Sequence, residues 1–338
     1  MENPKKQKIL VTGGGGFLGS AIIRKLIQRG EQVWSFSRKS YSELEAIGVK
    51  QIQGDLADKA VVENRFRGMD VVFHVAAKPG VWGTYDEYYR PNVLGTQNII
   101  HACKVNRIPT LIYTSSPSVI FTGKDMEGVD ESIPYPEKFH THYTKTKAIA
   151  EQAVRAAAKE GLNVIILRPH LIWGPGDPHL APRVIARSKK LVRVGSRNNL
   201  VDTIYIDNAA DAHILAADKL TADPSLSGKV YFISQDKPIP MWDMINGILN
   251  AGGLAPITKT MPLRAVWLIG AILEFVYKAF SLSGEPKMTR FVANELGTAH
   301  WFNISAVKKD LGYKPKVSTE EGMRFLKEWL IHNPIEVE

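Results

Sequence analysis

The sequence has a single cysteine, Cys103, among its 338 residues. One thiol closes no internal disulfide, so a stapled secreted scaffold is excluded and a reducing cytoplasm fits. Cys103 ends the helical pattern Asn98-Ile99-Ile100-His101-Ala102-Cys103, which reads as a packed thiol rather than a nucleophile. Long apolar runs are also missing. The most apolar stretch, Ala265 to Leu273 and then Phe275 to Phe280, is broken by Glu274 and contains Lys278. That falls short of the ~20 apolar residues a bilayer span requires. Nor does an apolar secretory segment precede the strand pattern that begins at Lys8. No internal repeat, low-complexity tract or nucleic-acid-binding motif is present. His140 and His142 read as loop residues, since no carboxylate or cysteine completes a metal set around them.

The net charge is +9, yet the basic residues are scattered. Such a charge favours an anionic cofactor, and an acidic substrate or membrane surface, over nucleic acid. Hydrophobic content of 44% and charged content of 23% are ordinary for a globular chain.

What is present is an alternation of short apolar strands with amphipathic helices in the first half. Strand patterns fall at Lys8 to Thr12, Gln32 to Phe36, Gln51-Ile52, Val71 to Val75, Thr110 to Thr114, Asn163 to Leu167 and Lys229 to Ser234. Helical patterns fall at Phe17 to Arg29, Asn92 to Asn106 and Thr144 to Glu160. This rhythm predicts an α/β fold, a Rossmann-type doubly wound parallel sheet over residues 1–178 and 201–236. A smaller, mainly helical substrate lobe is expected over 179–200 and 237–338.

Between the first strand and helix, Gly13, Gly16 and Gly19 have G-x-x-G-x-x-G spacing, with Phe17 and Leu18 opening the helix. Such a turn lets bare backbone approach a pyrophosphate, and the helix N-terminus offers it free N–H groups. Gly54-Asp55-Leu56 follows a later strand and adds weight to a dinucleotide site. The second strand runs into Ser37, Arg38 and Lys39, a hydroxyl and two cations where an acid would select a free ribose hydroxyl. The cations suit a 2′-phosphate, so NADP(H) is favoured over NAD(H).

Tyr143 and Lys147 are four residues apart and share a helix face. An ammonium beside a phenol lowers its pKa from about 10 toward neutrality and makes tyrosine a usable acid or base. Upstream, a strand ends in Thr114-Ser115-Ser116 at the end where open α/β sheets bind ligands. Ser116 is the preferred hydroxyl and Ser115 the alternative.

These motifs together, with His74-Val75-Ala76-Ala77, Asn92-Val93-Leu94-Gly95-Thr96, Arg168-Pro169 and Tyr205-Ile206-Asp207, resemble the extended short-chain dehydrogenase/reductases over nearly the whole chain. Within that superfamily the chain is similar to the 3β-hydroxysteroid dehydrogenase branch. Residues Ala76 to Gly83, Leu171 to Asp177 and Gly284-Glu285-Pro286 resemble those of bacterial reductases that act on long-chain 2-alkyl-3-oxoalkanoic acids in olefin biosynthesis. The resemblance implies hydride transfer from NADPH to the C3 ketone, proton donation by Tyr143, a hydrogen bond from Ser116 and a ribose contact from Lys147. It also implies cofactor contacts at Ala76, Ala77, Lys78, Pro169 and His170, and a homodimer formed through Asn92 to Asn106 and Thr144 to Glu160. Asn92 would brace the site, with a helix N-cap as the alternative.

A 2-alkyl-3-keto acid needs a cation and an apolar channel. Lys78, near Trp82, is the candidate cation, and a surface lysine is the plain alternative. Leu263 to Phe280 reads as ordinary packing of the second lobe, with a channel wall or a peripheral membrane contact as alternatives. An NAD-dependent sterol-4-carboxylate 3-dehydrogenase is the rival activity. A nucleotide-sugar epimerase is disfavoured by Arg38, and a non-catalytic NADP sensor by the intact Tyr143 and Lys147.

Overall fold

The computed structural model describes residues 6–337; the start of the chain, which bears on the secretory expectation, lies partly outside the described residues. Seven strands form the central sheet: β1 (Lys8–Thr12), β2 (Gln32–Ser37), β3 (Lys50–Gln53), β4 (Val71–His74), β5 (Thr110–Thr114), β6 (Val164–Pro169) and β7 (Val230–Ile233). They are all parallel, in the order β7-β6-β5-β4-β1-β2-β3. The order reverses at the β1–β4 seam, the switch point where such sheets bind ligands.

Except at the polar edge strand β3, the strands read as largely apolar runs because both faces are covered. Alternate side chains feed two cores. Ile9, Val11, Phe73, Ile112 and Ile165 point into one. There they meet α1 (Phe17–Gln28) and α4 (Ile206–Ala222). Leu10, Val72, Leu111 and Ile166 point into the other. There they meet α2 (Gly95–Val105) and α3 (His142–Lys159). Cys103 is buried in this second core, which pushes its thiol up to about 12. As a thiol of that kind it is an inert packing group.

The predicted helix at Asn92 differs in one respect. A π-turn, Arg90–Leu94, precedes α2, so Asn92 lies inside a helical segment and is no N-cap. His142 is the first residue of α3 rather than a loop residue.

Outside the central sheet the chain has further short strands and helices, most of them after β6. Met126–Val129, His300–Phe302, Leu200–Val201 and Ile239–Pro240 form a second, four-stranded sheet. Two helices, α5 (Leu263–Ala279) and α6 (Arg290–Gly297), pack on each other. The expectation of ordinary packing is met along one line of α5 only: its buried positions are Val266, Gly270 and Glu274, whereas Trp267, Leu268, Ile269, Ile272 and Phe275 are exposed.

Candidate active site

The glycine turn lies at the seam between β1 and β4. Gly13 has φ +69°, and a Cβ there would come within 3.0 Å of the Ala76 Cα. A Cβ on Gly19 would collide with the Gly13 carbonyl, so α1 can start this close to β1 only with glycine there. Gly16 is the N-cap position of α1 with no side-chain cap, leaving the first amides of Phe17 and Leu18 to a ligand.

The seam is fastened by a buried polar chain. Thr12 and His74 are register partners. The Thr12 hydroxyl accepts the amides of Val75 and Ala76 at 3.1 Å each. It therefore donates to His74 Nδ1 (3.0 Å), and His74 Nε2–H donates to Thr96 (2.9 Å). Thr96 in turn donates to the Asn92 carbonyl at 2.6 Å. Burial pulls the His74 pKa down to about 3, with Lys147 adding to the effect, so the ring is neutral.

Ser116 and Tyr143 meet beside the carboxyl end of β5. Ser116 starts a 3₁₀ turn, Pro117–Ile120, and accepts the Ser118 amide at 3.2 Å. A capping box between Thr141 and Thr144 starts α3 and so fixes Tyr143 in its first turn. Burial raises the Tyr143 pKa; a hydrogen bond with Ser116 opposes this, and Glu295 adds to it. The two adjacent serines have separate partners. Ser115 is buried and donates to Glu151, which leaves Ser116 as the hydroxyl at Tyr143.

Lys147 is buried one turn further along α3. Its ammonium donates to the Thr114 carbonyl at 2.7 Å and to Tyr113 Oη at 3.0 Å. Burial lowers its pKa to about 7, against the pull of Glu151. The expectation that Lys147 draws the Tyr143 pKa down is thus not met in this arrangement. The ammonium bonds to β5, and desolvation dominates the phenol.

Below the site, Glu151 and Arg168 form a fully buried ion pair, Arg168 Nε lying 3.0 Å from the carboxylate. Tyr135 Oη donates to the same carboxylate at 2.6 Å. Asn92 accepts the Lys78 amide (2.7 Å) and donates to the Lys78 carbonyl (3.2 Å) and Thr146 (3.2 Å). Asn92 thus ties the Lys78 backbone to α3. The Lys78 side chain is an exposed ion pair with Glu87. An open substrate-binding cation at that position is not what the structure has.

The remaining expected cofactor residues lie at or just past the carboxyl ends of the parallel strands. Ser37 ends β2, with Arg38 and Lys39 exposed after it. Asp55 accepts the Ala57 amide at 2.9 Å, and buried Leu56 is held through its carbonyl by Asn98. Ala76 and Ala77 follow β4. Pro169 ends β6, and His170 hydrogen-bonds His300 at 2.7 Å. Burial and the neighbouring His300 push the His170 pKa well below its usual value. Trp82 lines a cavity of about 830 Å³ beside the site, whose walls also include Phe139, His140 and Phe291.

Sequence reasoning missed Thr12, Thr96, Glu151, Glu295 and His300. Thr12 and His74 end neighbouring strands in register, a signal that was available. Glu295 is a lone acid on α6, more than a hundred residues from Tyr143, and nothing in its local sequence marks it. Burial raises its carboxyl pKa to about 7. Among the described residues, no cluster of metal-binding side chains occurs.

Residues 10–263 match the 3-beta hydroxysteroid dehydrogenase/isomerase family. The chain belongs to that family. The 2-alkyl-3-oxoalkanoate reductase of Shewanella oneidensis is 50% identical over 333 residues, covering 96% of this chain and 86% of that one. The reductase of the same name from Stenotrophomonas maltophilia is 48% identical, with 95% and 98% covered. A more distant member, the human sterol-4-alpha-carboxylate 3-dehydrogenase, decarboxylating, is 34% identical, with 94% and 86% covered. The crystal structure of gox2253 superposes with a TM-score of 0.80 at 23% identity, covering 98% of this chain and all of that one, which supports the fold alone.

Proposed function

We propose that this family member is an NADP(H)-dependent reductase of long-chain 2-alkyl-3-oxoalkanoic acids, working through Ser116, Tyr143 and Lys147. The observation that carries the reading is the Ser116–Tyr143 hydroxyl pair at the end of β5, one helical turn from a buried lysine and beside the glycine seam. The relatives named 2-alkyl-3-oxoalkanoate reductase support the substrate class.

The seam fits a dinucleotide. Its closely packed glycines leave room for a pyrophosphate at uncapped helix amides. Arg38 and Lys39 stand exposed past β2, where a 2′-phosphate would lie. The bound cofactor supplies the hydride for the ketone carbon. The protein's own work is with the oxygen. Tyr143 donates its phenolic proton to the carbonyl oxygen, and Ser116 hydrogen-bonds the same atom as negative charge grows there. A tyrosine whose pKa is raised by burial keeps that proton until the oxygen becomes basic. Lys147 uses two of its three N–H bonds on Thr114 and Tyr113, and the third serves a ribose hydroxyl.

The decisive experiment incubates the protein with a racemic long-chain 2-alkyl-3-hydroxy acid and NADP⁺ or NAD⁺, following reduced nicotinamide by absorbance. A 3β-hydroxysterol is run in parallel. The hydroxy acid avoids 3-keto acids, which lose CO2 on standing. Turnover of the acid with NADP⁺, lost in Tyr143→Phe, is the expected result. Silence with the acid and turnover of the sterol with NAD⁺ would refute it in favour of the sterol branch, to which the 34% identical human relative belongs.

A further inference from the structure

Of the eleven large apolar side chains exposed on the described surface, seven fall between Trp267 and Leu282. The concentration follows from how α5 is seated. Its inner line, Val266, Gly270 and Glu274, is what packs inward. A Cβ at Gly270 would come within 2.7 Å of the Thr289 backbone, so the helix is seated tightly on the start of α6. Glu274 accepts the Arg290 amide and its guanidinium at 2.7 Å each. The opposite line, Leu268, Ile272 and Phe275, is therefore turned outward with exposures of 55%, 54% and 71%.

We propose that this face of α5 docks on an anionic lipid bilayer, with the helix lying in the interface and the cavity mouth beside it at the membrane surface. At 17 residues the helix is about 26 Å long, and no helix among the described residues is long and apolar enough to cross a membrane. An apolar stripe flanked by cations and interfacial aromatics is the pattern of a helix that lies on a membrane. Arg264 precedes the stripe by one turn, and Lys278 and Lys287 flank its far end. The carboxylates nearby are neutralised, Glu274 by Arg290 and Glu285 by Arg183. The face thus presents net positive charge, on a chain of net charge +9. A second copy is the poorer occupant, because a twofold pairing of this face would bring the same cations together.

The face is continuous with the cavity. Glu274, Lys278 and Leu282 line it from this side, and Trp82 faces them, its ring 6.1 Å from that of Tyr277. Resting on the long-chain substrate proposed above, this contact lets an alkyl chain pass from bilayer to cavity without crossing water. The docking itself does not depend on that substrate.

The test is flotation of the full chain with phosphatidylcholine vesicles, with and without phosphatidylglycerol, measured with no substrate present. The comparison protein carries Leu268→Glu, Ile272→Glu and Phe275→Glu, all at exposed positions, with its melting curve checked against wild type. The expected result is flotation with the anionic vesicles that weakens with salt, and about tenfold or more weaker binding for the triple variant. A second variant, Arg264→Glu with Lys287→Glu, is expected to lose the preference for phosphatidylglycerol. Failure of the wild type to float, or flotation equal in the triple variant, would overturn the proposal. Self-association by sedimentation velocity that the triple variant abolishes, with no vesicle binding, would overturn it in favour of a second copy. Because no substrate enters the flotation, its failure would leave the keto-acid activity standing, and a protein silent toward the keto acid could still float.

Discussion

One side-chain amide, that of Asn92, closes both backbone hydrogen-bonding groups of Lys78, accepting its N–H at 2.7 Å and donating to its carbonyl at 3.2 Å. The π-turn around Arg90–Leu94 brings the amide there, as such irregular turns often do at functional sites. The same amide reaches Thr146, three residues past Tyr143, and so couples the strand-end loop to the helix of the proposed catalytic tyrosine. Asn92→Ala strands buried backbone groups and is expected to cost about 1–3 kcal/mol of stability. Equilibrium urea unfolding reads that cost. If Asn92 also positions the loop, kcat falls further in the variant than loss of folded protein explains, whereas an unchanged kcat per folded molecule would leave it a purely structural brace.

The ion pair between Lys78 and Glu87 alters what is expected of Lys78. Glu87 offsets the charge of this ammonium and competes with a substrate carboxylate for it. Glu87→Gln should therefore lower KM for a 2-alkyl-3-keto acid, and Lys78→Ala should raise it, with little change in either for an uncharged ketone of equal length. Parallel shifts for acid and ketone in either variant would remove Lys78 from substrate recognition.

Most of the sheet was legible because its inner strands bury both faces and so read as apolar blocks bounded by turns; the edge strand β3, Lys50–Gln53, is polar and has no buried residue. The Ser116, Tyr143 and Lys147 set was legible because it lies on one strand end and one helix turn, where spacing fixes neighbours. The sequence did not reveal what depends on long-range packing. Glu295 reaches the Tyr143 environment only through the fold of the C-terminal segment, and the direction of the Tyr143 pKa follows from desolvation that no local motif encodes. Helix α5 was only partly legible for a related reason: its all-round apolar composition resembles that of a buried helix, and only the narrow Val266-Gly270-Glu274 seat distinguishes the two.

Beneath the site, Glu151 receives Ser115, Tyr135 and Arg168 together, and these hydrogen bonds hold its carboxyl low against burial. Glu151→Gln preserves the volume and leaves the Arg168 guanidinium buried without its countercharge. Removing one partner of such a pair typically costs about 3–5 kcal/mol. A loss of that order in denaturant unfolding is expected for Glu151→Gln, and a loss of ordinary surface size would contradict the buried pair. Ser115→Ala removes one of several donors and should cost less, with activity largely kept. Ser116→Ala should reverse that pattern, with stability kept and kcat reduced.

Arg38 offers the most direct test of cofactor choice. It is exposed just past β2, so its replacement does not disturb the core. Arg38→Asp removes a guanidinium from a 2′-phosphate and supplies a carboxylate for a free ribose hydroxyl. We expect kcat/KM to fall roughly tenfold or more with NADPH and to rise with NADH, each factor of ten being about 1.4 kcal/mol of differential binding. An unchanged NADPH-to-NADH ratio would show that Arg38 is only a solvated loop residue.

The Thr12–His74–Thr96 chain ties stability to pH. The folded-state pKa of His74 is about 3, against an ordinary value near 6.5, because the ring is buried and neutral. Between those two values the unfolded chain takes up a proton that the folded chain refuses. Stability from this group is therefore fully present above about pH 6.5 and is lost as the pH falls toward 3, at up to about 1.4 kcal/mol per pH unit. Other buried groups titrate in the same range, so wild type must be compared with a variant lacking this one. In His74→Gln the amide keeps hydrogen-bonding capacity between the threonines but has no proton to refuse. We expect the stability difference between wild type and His74→Gln, measured by urea unfolding at fixed ionic strength, to grow from pH 4 to pH 6.5 and then level off. A difference that is flat across that range would mean that His74 titrates normally in the folded protein, and that the seam is open to water.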